Sequence, residues 1–357
     1  MLTRTLEPGT TGSRRAMPLI DIEDPIQLRA YLAATGRVPA DEQLEMRPLS
    51  GGVSNRTVWL TRPTGEAWVI KQALAKLRVQ VDWFSPPERL HVESLALEWL
   101  PRFTPDGTIP ALIFEDREQH ILAMQAIPQP HDNWKSLLLA GKADLNQVQQ
   151  FGQILGGIHR GSGLRRAELE PLFGDQSFFE TLRVEAYYRY AGAQNPPVQD
   201  WIESLIAAME RERHTLVHGD YSPKNILVRH GKLILLDHEV MHIGDPAFDI
   251  GFSMTHLLSK ANHLAAQRSH FGDAAHLYWS TYAHVVDDLP WWHGFETRAV
   301  RHVLACLLAR IDGRSPLEYL SAEARTRQRM AALALISAPP DCIGALIDGF
   351  IAQMGSA

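Results

Sequence analysis

Two short polar segments carry the residues best suited to chemistry. The first, HGDYSPKN at 218–225, places the acid Asp220 five residues before the amide Asn225, with Lys224 between them. The second, LLDHE, puts Asp237 at the predicted end of an apolar strand. A carboxylate in a tight loop can orient or deprotonate a hydroxyl, and carboxylate and amide oxygens are ligands that Mg²⁺ prefers. The spacing therefore predicts an acid beside a magnesium site.

The composition limits the class of protein that these segments serve. Of 357 residues, 45% are hydrophobic and 21% are charged, which is typical of a folded soluble protein long enough for two lobes. The formal net charge of −6 argues against a general nucleic-acid binder, because such proteins usually carry a basic excess. No apolar run is long enough to span a membrane, and the two cysteines form no metal-binding pattern. We therefore expect a cytoplasmic protein with no nucleic-acid or membrane partner, whose oligomeric state the sequence leaves open.

The first third of the chain alternates between helical and β-type patterns. Residues 1–17 predict a flexible tail, and residues 18–126 predict an N-lobe that begins with a helix at 24–34, capped by Asp24. Apolar runs between 45 and 72, separated by SGG and PTGE, are typical of hairpin strands. The helical stripe PPERLHVESLALEWL and two more β-type runs, ALIFE and HILAMQAI, follow. These patterns predict a small lobe rich in β-strands.

The rest of the chain, residues 127–357, is predicted to form a larger C-lobe made mainly of helices. The segment IPQP at 127–130 ends the β-rich part and marks a hinge between the lobes. Amphipathic stripes such as DLNQVQQFGQILGGIHRGS follow it. Residues 215–237 are the exception, because they alternate short apolar runs with turns, as strands do. Both chemical segments therefore lie in a β-hairpin region within a helical lobe, which is an α+β arrangement.

The two polar segments together resemble those of a known enzyme group. HGDYSPKN, here termed the catalytic loop, fits the H-x-D-x-x-x-x-N pattern of kinases, and its HGD form resembles the aminoglycoside phosphotransferase and choline kinase family. LLDHEVMHIGDPAFDIGF at 235–252 resembles the metal segment of that family. The resemblance covers roughly residues 45–260 and implies a bilobal protein-kinase-like fold with a small β-rich N-lobe and a larger, mostly helical C-lobe. It implies that Asp220 orients or deprotonates the acceptor hydroxyl, while Asn225 and Asp237 hold Mg²⁺.

The same resemblance gives the N-terminal half a role in ATP binding. PLSGGVSNRTVWL is similar to the strand–turn–strand that covers ATP phosphates in kinases, although it lacks the full G-x-G-x-x-G pattern. Gly51 and Gly52 would leave backbone N–H groups free to donate to the phosphates, with Ser54 and Asn55 beside them. WVIK resembles the strand that carries the kinase lysine, which makes Lys71 the expected contact to the α- and β-phosphates.

Two further elements complete the expected nucleotide site. ESLALEWL resembles the helix whose acid pairs with the lysine, with Glu93 as the first candidate and Glu98 as the second. The adenine is expected against the hinge, near Met124, Gln125 and Ile127. IKQALAKLRV and ERLHVESLAL also resemble methylthioribose kinases, a branch of the same superfamily.

Four neighbouring residues leave their roles open. Lys224, a candidate catalytic residue beside Asp220, either reaches the transferred phosphate or remains in solvent. Asp249 either caps the helix that follows it or holds the catalytic loop through backbone N–H groups. Glu239 is a candidate second metal ligand, and His218 is predicted to tie the loop backbone together rather than act as a base.

The sequence predicts an ATP- and Mg²⁺-dependent kinase that phosphorylates a hydroxyl group on a small molecule. A nucleotide-binding pseudokinase is the main alternative, but it would be expected to lack one of the catalytic or metal residues, and all are present. A protein kinase is disfavoured, since LLDHE and GDPAFDIG stand where D-F-G and A-P-E would be. ATP and GTP are not distinguished by the sequence.

The identity of the acceptor is open at this stage. An aminoglycoside is a polycation and would require an acidic pocket, for which Asp287 and Asp288 are candidates. Sugars, amino alcohols and methylthioribose-like compounds are also compatible, because a fold does not define a substrate. The aromatic segments YYRY and LPWWHGF either line the acceptor pocket or pack in the core.

Overall fold

The computed structural model describes residues 19–49, 52–78 and 82–355. The predicted tail at 1–17 and the candidate phosphate contact Gly51 therefore lie outside the described residues. The described chain forms a β-sheet part on the amino-terminal side and a larger helical part, which confirms the predicted α+β class. No helix in these ranges is long and apolar enough to cross a membrane.

A five-stranded antiparallel sheet and two helices form the amino-terminal part. Their bounds are α1 (Pro25–Ala34), β1 (Glu45–Pro48), β2 (Asn55–Thr61), β3 (Ala67–Ala73), α2 (Arg89–Trp99), β4 (Leu112–Asp116) and β5 (Ile121–Gln125). The strands lie in the order β1-β2-β3-β5-β4. The Asp24 carboxylate accepts hydrogen bonds from the N–H groups of Ile26 and Gln27, which confirms it as the cap of α1.

Alternation along β2 and β3 separates a core face of the sheet from a cavity face. Val58 and Ile70 pair across the two strands, are buried, and belong to the hydrophobic cluster that includes α1. Their neighbours Thr57 and Lys71 also pair, and successive side chains of a strand point to opposite faces. Lys71 is thereby placed on the face that lines the space between the sheet and the helical part.

Helices packed around one central helix build the larger part. They are α3 (Trp134–Leu139), α4 (Leu145–Leu164), α5 (Arg166–Phe173), α6 (Ser177–Phe179), α7 (Tyr190–Gln194), α8 (Gln199–Met209), α9 (Ala247–His263), α10 (Arg268–Val286), α11 (Phe295–Asp312), α12 (Ala322–Ser337) and α13 (Ile343–Gly355), with 3₁₀ turns at Leu100–Arg102, Pro196–Val198, Pro223–Asn225, Ala265–Gln267 and Pro290–Trp292. A π-helical stretch, Glu180–Arg189, joins α6 to α7. Every residue of the central helix α9 except His263 is buried. Gly251 lets α11 approach closely, because a Cβ atom there would lie 2.6 Å from the His302 carbonyl carbon.

Short strands flank the catalytic loop and the metal segment. They are β6 (Asp132–Asn133), β7 (Thr215–Val217), β8 (Ile226–Arg229), β9 (Lys232–Leu235) and β10 (His242–Gly244). Strands β6, β8 and β9 form one sheet, whereas β7 pairs with β10. The catalytic loop connects β7 to β8, and the metal segment begins at the end of β9. The predicted strand end at Asp237 is wrong, because β9 ends at Leu235 and Asp237 adopts a left-handed φ of 67° that strands do not use.

Candidate active site

A cavity of about 710 Å³ lies between the sheet and the helical part, and both chemical segments open into it. The predicted site residues that line it are Gly52, Ser54, Asn55, Lys71, Met124, Gln125, Ile127, Asp220, Lys224, Asn225 and Asp237. Glu93 does not line the cavity itself but contacts Lys71 from behind. The fold therefore brings the predicted residues of the described chain together at one site.

The catalytic loop is held in place by Asp249, in the first turn of α9. Its two carboxylate oxygens accept hydrogen bonds from the backbone N–H groups of His218 (2.6 Å) and Gly219 (2.9 Å). His159 donates a third, over 3.2 Å, and Asp249 is fully buried. Burial alone would raise the pKa of Asp249, but the hydrogen bond and the charge of His159 lower it. Of its two predicted roles, the geometry supports the one in which Asp249 holds the loop.

Asp220 lies at the floor of the cavity with one carboxylate oxygen fully occupied. Its Oδ2 atom accepts from the Asn225 amide (2.8 Å) and lies 3.1 Å from Lys224 Nζ and 3.2 Å from Arg183 Nη2. Within the described ranges, Oδ1 has no hydrogen-bond partner. Burial would raise the pKa of Asp220, but Lys224 and Arg183 outweigh it and lower the pKa below its ordinary value. Asp220 is therefore an ionised carboxylate at neutral pH with one free oxygen.

Arg183 is a site residue that the sequence analysis did not identify. Its Nε atom donates to the Gly219 carbonyl over 2.6 Å, and its side chain is buried in the π-helical stretch. The only sequence signal was its position four residues after Phe179 and four before Tyr187, on a face that is otherwise apolar or aromatic. An arginine on a buried helical face needs an anion, but the sequence does not show that this anion is Asp220.

Lys71 joins the sheet to the metal segment. Its ammonium contacts Glu93 over 2.7 Å and Asp237 over 3.1 Å. Glu93 is buried on α2, whereas the second candidate, Glu98, is exposed on the same helix. Burial of Lys71 would lower its pKa, but the charges of Asp237 and Glu93 outweigh burial and raise it. Lys71 is thus a permanent cation on the side of the cavity that the sheet forms.

Two oxygen atoms in the cavity fit a hard divalent cation. The Asn225 amide nitrogen donates to Asp220, which leaves its Oδ1 oxygen as a free acceptor, and Asp237 contacts Lys71 through Oδ1 alone. Asp237 Oδ2 has no partner in the part of the chain that the structure describes. No group of three or more His, Cys, Asp or Glu residues in that part could form a complete metal cage. One carboxylate and one amide suit Mg²⁺, which usually keeps several water ligands.

Glu239 connects the start of β2 to the metal segment, a contact that the sequence analysis missed. Its Oε2 atom accepts from the Asn55 amide (3.0 Å) and from Arg89 Nε (3.2 Å). The buried Arg89 also donates to the backbone carbonyls of Ser54 and Leu74. The Asn55 amide nitrogen donates to Glu239 and, over 3.2 Å, to Ser54 Oγ, so neither of its N–H groups is left free for a phosphate, and Glu239 lies between the two parts of the protein.

Removal of Lys224 should shift the pH dependence of catalysis. Lys224 is half-exposed, yet its ammonium pairs with Asp220, so it is not simply solvated. In Lys224→Met, the positive charge that offsets the burial of Asp220 is removed, so the pKa of Asp220 should rise. Asp220 is predicted from the sequence to act in its ionised form, so activity should be lost as pH falls through that pKa, and the acid limb of kcat/KM should move to higher pH. A pH–rate profile of phosphoryl transfer measures this shift.

Lys142→Met is the control for that profile, because Lys142 is exposed and lies outside this cavity. It should leave the acid limb where the wild type has it. A Lys224→Met enzyme with a lower rate but an unmoved acid limb would contradict the pairing role and favour direct contact with the phosphate.

The β-sheet part, the helical part and the Lys71, Asp220 and Asp237 side chains between them define a bilobal kinase-like fold. The chain belongs to the phosphotransferase enzyme family, whose sequence profile matches residues 45–285, more than half of its length. This match confirms the family resemblance drawn from the catalytic loop and the metal segment.

The chain is also similar to individual kinases in sequence and to solved structures in fold. Methylthioribose kinase from Pectobacterium atrosepticum is 26% identical over 215 residues, which cover 53% of this chain and 53% of that enzyme. The chain thus spans about half the length of the curated relatives it matches. Macrolide 2′-phosphotransferase from Brachybacterium faecium has a TM-score of 0.50 at 19% identity, covering 89% of this chain and 99% of that chain. Choline kinase from Cryptosporidium parvum has a TM-score of 0.54 at 10% identity, covering 91% and 100%. At these identities the similarity to the solved structures shows the fold alone.

Proposed function

We propose that the protein is an ATP- and Mg²⁺-dependent kinase that transfers the γ-phosphate of ATP to a hydroxyl group of a small molecule. The observation that carries this proposal is the state of Asp220. Three donors occupy its Oδ2 atom, which fixes the carboxylate and keeps it ionised, while Oδ1 is free at the cavity floor. A fixed, ionised carboxylate with one free oxygen is suited to accept a hydrogen bond from an acceptor hydroxyl.

The nucleotide is proposed to occupy the side of the cavity formed by the sheet. Apolar side chains suited to an adenine ring line the cavity there, namely Val69, Met124, Ile127, Leu227 and Leu236. The phosphates would lie beneath Gly52 and Ser54 and against the Lys71 ammonium. Lys71 is held by carboxylates on two different elements, so its position is set before the nucleotide binds.

Asn225 and Asp237 are the residues proposed to hold Mg²⁺, through the two free oxygens described above. When bound, the ion supplies positive charge that offsets the charge of the phosphates. Lys71 would add its charge close by, since its ammonium lies 3.1 Å from Asp237. These residues act by position and charge, which is what phosphoryl transfer chiefly requires of a protein.

The reaction then follows from the position of Asp220. The acceptor hydroxyl donates a hydrogen bond to Asp220 Oδ1, which points the oxygen lone pair at the γ-phosphorus. A bond forms between that oxygen and the phosphorus, the bond from phosphorus to the bridging oxygen of ATP breaks, and ADP leaves. The hydroxyl proton passes to Asp220. Because ATP is the phosphate donor, the proposal also places the protein in the cytoplasm.

The test is transfer of label from [γ-³²P]ATP to a panel of hydroxyl compounds, with Mg²⁺ or with EDTA. Label should enter an acceptor only when Mg²⁺ is present. In Asp237→Asn, the Mg²⁺ concentration that gives half-maximal rate should rise by roughly tenfold or more, because a charged ligand is lost. A Mg²⁺ titration of the transfer rate measures this change.

Asp273→Asn removes an exposed acid outside the cavity and is the matched control for the titration. Its Mg²⁺ requirement should equal that of the wild type. Nucleotide binding without transfer to any member of the panel would instead favour the pseudokinase alternative.

A further inference from the structure

Cationic side chains dominate the part of the cavity beyond Asp220. This part, here termed the acceptor end, is lined by Lys135, Arg183, Tyr187, Arg310, Ser315 and Glu318. With Lys224, four cations there face only two carboxylates, Asp220 and Glu318. Both carboxylates are already paired, Asp220 with Arg183 and Lys224 and Glu318 with Lys135. The acceptor end therefore has an excess of positive charge.

Arg310 is the cation in this group without a carboxylate partner. It is only 8% exposed, and the acceptor-end carboxylates of the described chain pair with other cations instead. Its Nη1 atom donates to the Tyr187 hydroxyl (3.0 Å) and to Ser315. Its Nε atom is buried with no hydrogen-bond partner, and Nη2 makes no hydrogen bond to a described residue. A buried charge left without an opposite charge is costly, so an anion that binds this guanidinium would remove that cost.

One donor of Arg310 is free toward the cavity. Nε is closed off from it, whereas Nη2 is neither buried nor hydrogen-bonded to a described residue, and a charged N–H donor of this kind binds a carboxylate oxygen strongly. The Tyr187 hydroxyl accepts from Arg310, which leaves its own proton free to donate. Burial would raise the pKa of Tyr187, but Arg310 and Arg183 outweigh it and lower the pKa, in keeping with a strongly positive surrounding.

A buried lysine lies near this group. Lys260 is fully buried, donates only to the His256 carbonyl (3.2 Å), and has no carboxylate partner in the described ranges. Burial, with the charges of Lys135 and Arg310, lowers its pKa to about 7. An anion at the acceptor end would offset the charge of Arg310 and would favour the protonated form of Lys260.

We propose that the acceptor of this kinase is a hydroxy acid. Its carboxylate binds Arg310 through Nη2, beside the Tyr187 hydroxyl, while its hydroxyl donates to Asp220 Oδ1. The proposal rests on the phosphotransferase function proposed above and adds the charge of the substrate. It argues against a polycation, because the predicted acids do not line the cavity: Asp287 is exposed, and Asp288 pairs with Arg160 at the surface.

Binding can be tested without turnover, in the presence of Mg²⁺ and the non-hydrolysable analogue AMP-PNP. Isothermal titration would compare hydroxy acids of three to ten carbons with the alcohols that replace their carboxylate, such as glycerate with glycerol and gluconate with sorbitol, and with the cations choline and kanamycin. At least one acid should bind tenfold or more tightly than its alcohol. In Arg310→Gln most or all of that preference should be lost, a fall of about tenfold or more, with AMP-PNP affinity unchanged. Equal binding of acid and alcohol, no binding by any acid, or preference for a cation would overturn the proposal.

Variants with milder changes separate recognition from folding. Arg310→Lys keeps the charge but shortens the reach of the donor, so it should retain part of the preference, and Tyr187→Phe should weaken acid binding several-fold. Arg301→Gln is the matched control, because Arg301 lies on the same helix, donates to Ser204, and does not line the cavity. It should leave acid binding unchanged. An equal loss in Arg301→Gln would show that the effect of Arg310→Gln is a structural one, and would overturn the proposal.

The same compounds, tested with labelled ATP, distinguish the two proposals. Label transfer to alcohols or cations alone would leave the kinase function standing and reject the hydroxy-acid acceptor. Tight acid binding that depends on Arg310, without any transfer of label, would leave the anion site standing and reject the kinase function.

Discussion

Replacing Asp220 with asparagine should lower kcat by roughly 10³-fold while the affinity for nucleotide stays within about twofold of the wild type. The substitution keeps the size of the side chain but removes its charge, so Oδ1 can no longer take a proton from the acceptor. The nucleotide contacts proposed here lie on the sheet and on Lys71, which does not touch Asp220. Catalysis and nucleotide binding should therefore separate in this variant.

The measurement pairs steady-state transfer of labelled phosphate with titration of AMP-PNP. Asp200→Asn, an exposed acid on α8, provides the control and should keep both quantities at wild-type values. A fall in kcat of less than tenfold in Asp220→Asn would reject Asp220 as the group that accepts the hydroxyl proton. A large loss of AMP-PNP affinity would instead mean that Asp220 acts mainly on the nucleotide side.

The motif residues could be placed from the sequence because their spacing is local. Asp220 and Asn225 lie in one loop, and Lys71 lies on a strand with a recognisable pattern, so short-range geometry determines their arrangement. The helix-start signals Asp24 and Pro25 also gave the first helix, and the resemblance of WVIK to a kinase strand gave the place of Lys71. These features depend on neighbours in the chain, which is the information that a sequence pattern contains.

The acceptor end could not be placed in the same way. Arg310 comes from α11, Tyr187 from a π-helical stretch and Lys135 from α3, and they meet only because the helices pack around α9. The segment YYRY shows why sequence patterns do not place such residues: Tyr187 lines the cavity, whereas its neighbour Tyr188 is buried against His302. The left-handed backbone at Asp237 was likewise invisible, because it depends on the contacts that surround the metal segment.

Replacing Asp249 with alanine should lower the free energy of unfolding by about 3 to 5 kcal/mol, which is the cost of breaking a buried hydrogen-bonded pair by removing one partner. The change strands the N–H groups of His218 and Gly219 and the His159 imidazole, all within the buried core beneath the catalytic loop. We expect the melting temperature to fall by roughly 5 to 10 °C. Differential scanning calorimetry would measure this fall, and Asp287→Ala, at an exposed acid, should leave it near zero.

The pH dependence of that difference identifies its cause. The pKa of Asp249 is lowered in the folded protein, so its stabilising effect is fully present above the pKa of an unfolded aspartate and is lost as pH falls through the folded value. The difference in melting temperature between wild type and Asp249→Ala should therefore be constant from pH 7 to about pH 5 and shrink only in stronger acid. A difference that stays constant into strong acid would mean that lost packing, rather than the lost anion beneath His218 and Gly219, destabilises the variant. The charge of Asp249 would then not be what holds the catalytic loop, and the loop would have to be fixed chiefly by Arg183 through the Gly219 carbonyl.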